Sequence, residues 1–173
     1  MLLALALALS LLACGAPDGD VDTAPVEPAL DPFAQAFVDA HNAARGRAEP
    51  TPEPALPDLA WDEDLAAIAT DWAAGCVFEH STGETGENLA AYSDEVEPDV
   101  IVDGWFSEIA DYDYATNTCA DGAACGHYTQ VVWRDTLRVG CAVQSCTLDG
   151  FGRGDLWVCE YDPAGNWVGE LPY

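Results

Sequence analysis

The 173-residue chain contains no lysine, and its cationic side chains are five arginines: Arg45, Arg47, Arg134, Arg138 and Arg153. Against 31 acidic residues they leave a formal net charge of −26. Such a surface repels phosphate, which excludes a general nucleic-acid binder and docking through a polybasic patch on anionic lipid. Long apolar runs are scarce too. The run at residues 2–13 (LLALALALSLLA) is too short to cross a hydrocarbon core of about 30 Å as a helix. The seven cysteines include no C-x2-C pair, which argues against a zinc ribbon. The acidic stretch Glu84, Asp94, Glu95, Glu97 and Asp99 lacks EF-hand spacing and reads as a solvated loop, with weak Ca²⁺ binding as the alternative. No nucleophile stands out. Ser81 follows His80, but neighbours in sequence do not make a triad.

What is present is a globular composition. Half of the residues are hydrophobic and six are tryptophan, which argues against disorder over most of the length. The length suits one domain with short appendages. Seven cysteines point to an oxidising compartment if they pair.

Residues 1–13 read as an export signal, and Leu11-Leu12-Ala13-Cys14 resembles a bacterial lipobox. No Lys or Arg precedes the apolar run, a departure from the usual signal. Lipidation of Cys14 is favoured over plain secretion because it leaves an even six cysteines to pair. Gly15 follows, with no aspartate to suggest inner-membrane retention, so an outer-membrane or cell-surface lipoprotein is expected, or else a secreted protein. Residues 14–32 are a Pro- and Asp-rich stretch without apolar period, a solvated tether.

From residue 33 a folded domain is expected to run to 173. Phe33, Phe37, Val38, His41, Ala44 and Arg45 recur at helical spacing over residues 32–46, with Asp31 as N-cap and Pro32 at the first position. A proline-rich loop follows, and Asp62 caps a second helix ending near Gly75 and Cys76. Residues 77–88 read as a loop. A third helical stretch starts near Asp99 and reaches Ile109. After a Cys-bearing loop (111–126), His127–Trp133, Arg138–Cys146 and Leu156–Tyr161 read as three strands. Helices first and strands later imply an α+β domain with an antiparallel sheet covered by helices.

His80 lies just ahead of Gly86-Glu87-Asn88-Leu89, and His127 opens the first expected strand. Glu108 stands three residues after Trp105, so both share the helical face expected to meet the sheet. A carboxylate there needs a partner. His41, on the first helix, reads as a structural histidine. The six tryptophans are expected mostly in the core, with their indole N–H groups paired.

Phe37–Arg45, His80–Leu89, Trp105–Glu108, Tyr112–Cys119, His127–Trp133 and the ending Cys159–Tyr173 occur in the order of the CAP superfamily: cysteine-rich secretory proteins, antigen 5 and pathogenesis-related protein 1. The chain resembles the plant pathogenesis-related 1 branch in particular. That resemblance implies a three-layer α-β-α sandwich with a central antiparallel sheet. It implies a cleft tetrad of His80, Glu87, Glu108 and His127, and disulfides Cys76–Cys146, Cys119–Cys125 and Cys141–Cys159. Each disulfide would contribute about 2–4 kcal/mol.

Physically, two carboxylates and two imidazoles in one cleft either share protons or take a divalent cation. His80, Glu87, Glu108 and His127 are therefore the expected metal ligands, and zinc is the candidate cofactor. The expected function is a cleft-bearing binding protein for a sterol, fatty acid or peptide. It would be a monomer, reaching the membrane only through its N-terminal lipid. The alternative is a zinc-dependent extracellular hydrolase with Glu87 or Glu108 as general base. A surface-layer or adhesin role is a third reading.

Overall fold

The computed structural model describes residues 29–173. The expected export signal, the expected lipidation site Cys14 and most of the expected tether lie outside the described residues. Leu30 already packs against the core, and Asp31 caps the first helix, so the packed domain includes residues before 33.

Helix α1 (Pro32–Arg45) starts where expected. The Asp31 carboxylate accepts from the Phe33 and Ala34 amides at 2.9 and 3.1 Å. Its buried face carries Phe37, Val38, His41, Ala44 and Arg45. Strand β1 (Ala60–Trp61) leads to α2 (Glu63–Ala74), capped by Asp62. Strand β2 (Gly86–Tyr92) precedes α3 (Pro98–Phe106), which tightens into a 3₁₀ turn, Ser107–Asp111. A small hairpin of β3 (Tyr112–Asp113) and β4 (Thr118–Cys119) is followed by α4 (Gly126–Val131). The long strands β5 (Arg138–Leu148) and β6 (Gly152–Asp162) close the list.

The main sheet has the order β1-β5-β6-β2. Alternation along β6 divides the core in two. Leu156 and Val158 join Ala69 and Ala73 of α2 on one face. Trp157, Cys159 and Tyr161 pack with Phe37, Ile101, Trp105, Tyr128 and Val131 of α1, α3 and α4 on the other. The result is the expected α-β-α sandwich. Gly140 lets α2 sit directly on β5: a Cβ there would stand 2.1 Å from the Ala66 nitrogen. The three disulfides pair as the resemblance implied, and Cys141–Cys159 joins register partners on β5 and β6.

Several expectations are corrected. His127–Trp133 is not a strand: residues 126–131 form α4. Its buried residues Tyr128 and Val131, with Val132 at the C-cap, also fit a helical spacing, and both ends are held from outside. The Glu108 carboxylate accepts from the His127 and Tyr128 amides, while the Arg45 guanidinium donates to the Val131 and Trp133 carbonyls, each at 2.9 Å. These tertiary contacts override a β-branched composition. The expected 77–88 loop gives way to β2 at Gly86, whose pairing with β6 supplies what its small residues do not advertise. The sheet is antiparallel along its three long strands, but β1 runs parallel to β5 and is too short to show a period. Trp105, Trp133 and Trp157 are buried, whereas Trp167 is exposed. The indole nitrogens of Trp61 and Trp157 are buried without a partner.

Candidate functional site

The site is organised by two consecutive residues of β2. Glu87 and Asn88 point to opposite faces of the sheet, as neighbours in a strand must. Glu87 Oε1 accepts from His80 Nδ1 at 2.7 Å and from the Ser81 amide at 3.0 Å, fixing the loop that follows α2. On the other face, the Asn88 amide donates to the His127 carbonyl at 3.1 Å and to the Tyr161 hydroxyl at 3.2 Å. His127, at the start of α4, places Nδ1 2.6 Å from Glu108 Oε1. The two rings then approach each other, with centroids 6.4 Å apart and planes inclined by 37°.

The four residues of the expected tetrad thus come together, as two His–Glu dyads rather than one cluster. Glu108 meets the beginning of α4, not the sheet as expected from its helical face. Its Oε1 serves the His127 ring, and its Oε2 takes the His127 and Tyr128 amides at 3.0 and 3.1 Å. Burial raises the Glu108 pKa, but the His127 ring hydrogen bond, the Tyr128 amide and the imidazole's charge outweigh it and hold the carboxyl below its usual range. The Trp105 ring stacks against His127 at 6.3 Å. The Trp105 indole N–H donates to the Leu89 carbonyl at 3.1 Å, tying α3 to the same stretch of β2.

Exposure differs between acids and bases. The Glu87 and Glu108 side chains keep 5% and 16% of their accessible surface, against 62% for His80 and 28% for His127. With Nδ1 donating to a carboxylate, each ring carries its lone pair on Nε2. Among the described residues no three His, Cys, Asp or Glu side chains converge to hold a metal. Of the ring atoms, the Nε2 of His80 and of His127 are the ones left to hold an ion, since Glu87 and Glu108 engage the two Nδ1 atoms.

Ser81 is engaged away from the His80 ring: its amide donates to Glu87, and its hydroxyl accepts from the Gly83 amide at 3.4 Å. His41 is structural, as expected. Its Nδ1 donates to the Phe37 carbonyl and its Nε2 accepts from the Tyr161 hydroxyl, both at 2.8 Å. Burial lowers its pKa to about 4; the Phe37 carbonyl opposes this and the Arg45 charge adds to it. The acidic residues Glu84, Asp94, Glu95, Glu97 and Asp99 are exposed.

Sequence reasoning missed Asn88, Thr85 and Glu160. Glu160 is fully buried directly opposite Glu87 in the β2–β6 register. Its Oε2 accepts from the Thr85 hydroxyl at 2.5 Å. Burial pushes its carboxyl up, the Thr85 hydrogen bond opposes this, and the Glu87 charge and hydrogen bond push it further, to about 7. Strand parity was the available signal, since Glu160 shares its face with Leu156 and Val158.

Residues 38–161 match the family model described as "CAP: Cysteine-rich secretory protein family". The chain belongs to the CAP family. Pathogenesis-related protein 1A of Nicotiana tabacum is 46% identical over 144 residues, 80% of each chain. Among solved structures, the CAP domain is similar to Schistosoma mansoni venom allergen-like protein 4, with TM-score 0.67 and 26% identity over 83% of this chain and 95% of that one. It is also similar to NaASP2, solved with Zn²⁺, with TM-score 0.63 and 28% identity over 82% and 84% of the two chains.

Proposed function

We propose that the protein is an exported, Cys14-lipidated CAP-domain binding protein whose two histidines take a divalent cation and which carries a ligand groove elsewhere on the domain. The observation that carries this reading is the orientation of the rings: a carboxylate less exposed than its imidazole engages each Nδ1 and leaves the Nε2 atoms of two neighbouring imidazoles to take a ligand. The pairing of all six domain cysteines supports an oxidising, extracytoplasmic location. The similarity to NaASP2 with Zn²⁺ supports zinc as the ion. Two protein ligands leave room for water or a ligand group to complete the coordination.

A groove of about 440 Å³ between α1 and α3, lined by Ala36, Asp39, Ala40, Glu97, Pro98 and Asp99, is of a size for a small ligand. Its acidic rim disfavours a fatty-acid anion and suits an uncharged sterol or a basic peptide. Calorimetric titration with Zn²⁺ of protein purified without chelators tests the site. The wild type should bind, and His80→Ala and His127→Ala should each abolish binding; heat unchanged by either substitution ends the metal reading. Mass spectrometry of co-purified lipid that finds neither sterol nor fatty acid, together with absent uptake of added sterol, leaves the peptide as ligand. Fatty-acid analogue labelling lost in Cys14→Ala tests the anchor.

The same open coordination suits a zinc-dependent peptidase. That reading requires turnover lost in Glu87→Gln and His127→Ala and restored by zinc in the chelated wild type.

A further inference from the structure

We infer that Glu160 is a positioning residue for the His80 half of the site, keeping one proton and donating it across the strand pair to Glu87. The two carboxyls face each other as register partners on β2 and β6, and Glu160 has no exposed surface. Each has one oxygen fully engaged: Glu87 Oε1 by His80 and Ser81, and Glu160 Oε2 by Thr85. Each also has one buried oxygen without a partner, Glu87 Oε2 and Glu160 Oε1. A single proton on Glu160 Oε1, directed at Glu87 Oε2, satisfies both orphans with one bond. Two ionised carboxylates facing each other at this depth would set two buried like charges side by side, each with one oxygen lacking a donor.

The arginines do not supply the compensation. Arg45 is spent on backbone carbonyls, Arg47 on Asp103, Arg134 on the Pro54 and Ala55 carbonyls, and Arg138 on Asp62 and Asp162. Arg153 pairs with Thr147 at the far end of the β5–β6 ladder, whereas Glu160 pairs with Gly140.

The consequence reaches the histidine. With the proton on Glu160, the pair holds one negative charge, localised on Glu87. That charge accepts the His80 Nδ1 proton and keeps the imidazole in the tautomer whose Nε2 is free. Glu160 touches no ligand; it acts through Glu87. The inference rests on the proposed site only in giving that Nε2 a use, and its readouts involve neither metal nor ligand.

The test combines infrared and nitrogen-15 NMR spectroscopy on the full chain in mildly acidic buffer. The wild type should show the carbonyl stretch of a buried protonated carboxyl that shifts in D₂O. The band should vanish in Glu160→Gln and persist in Glu108→Gln. His80 should hold the Nδ1–H tautomer in the wild type and in Glu160→Gln, whose amide can donate to Glu87 in place of the acid. It should lose that tautomer in Glu160→Leu, while His127 keeps its own and reports that the fold is intact. If Glu160→Leu disturbs His127 too, Glu160→Met is the second apolar variant. Absence of the carbonyl band in the wild type, as when both acids are ionised around a bound cation, overturns the shared proton. A His80 tautomer unchanged in a folded apolar variant overturns the positioning role. Failure of zinc or lipid to bind alters neither readout.

Discussion

The His127–Glu108 and His80–Glu87 dyads look alike in composition and differ in what supports the acid. Glu108 is held by backbone: two amides at the start of α4 and one ring nitrogen saturate its oxygens. Glu87 is held on one oxygen by a ring and one amide, and on the other side faces Glu160. One carboxylate is therefore part of the scaffold, since without it α4 loses its N-terminal acceptor. The other leans on a second acid whose own burial is costly. The same pair of residue types caps a helix in one place and faces a second buried acid in the other.

Removing each acid should expose this asymmetry most strongly. Glu108→Ala leaves two amides and a ring nitrogen without their acceptor, and should cost about 3 kcal/mol in denaturant unfolding. Glu87→Ala removes the acceptor of one ring nitrogen, one amide and the Glu160 proton, but the ring it frees is largely exposed to water, so it should cost less, about 2 kcal/mol. Equal losses would erase the distinction.

The pH dependence should separate the two next, with opposite signs. Glu160 titrates at about 7 in the fold, above its ordinary 4.5, so the native state binds the extra proton between those limits. Stability must then fall as pH rises through that window, by up to about 3 kcal/mol. Glu160→Gln should flatten the fall. Glu108, held below its usual range, does the reverse. Its contribution is complete above the ordinary carboxylate range and is lost as pH drops through its lowered value. Urea midpoints across pH for the wild type, Glu160→Gln and Glu108→Gln measure both slopes.

Smaller effects should follow from the supports. His127→Ala removes a ring stacked on Trp105 and should cost about 1 kcal/mol. His80→Ala, at a largely exposed ring, should cost about half as much or less. Thr85→Val, which deletes the donor to Glu160, should cost about 1 kcal/mol and raise the Glu160 pKa further, readable as a displaced pH midpoint.

Much of this was legible in the chain. Asp31 and Asp62 announced two helix starts, and the period of Phe37, Val38, His41 and Ala44 gave the buried face of α1. The order of motifs located His80, Glu87, Glu108 and His127 together. Illegible were features set by partners distant in sequence. Helix α4 looked extended because its residues suit a strand, and Glu108 and Arg45, which hold its two ends, act from other elements. Gly86–Asn88, the end of the expected 77–88 loop, looked like loop until the ladder with β6 was visible. Glu160 sat in plain view within a recognised motif. Its significance depends on the residue facing it, and a single sequence does not reveal which strand pairs with which.

Strand β2 forms the margin of the sheet, and its adjacent residues Glu87 and Asn88 govern the two histidines from opposite sides. A slip of one position against β6 would turn Glu87 toward the α1, α3 and α4 layer and Asn88 toward α2, removing both anchors in one movement. A single pairing error at the rim of the sheet is thus felt twice: the His80 ring loses its carboxylate and the His127 backbone its amide donor, while Glu108 still steers the His127 ring.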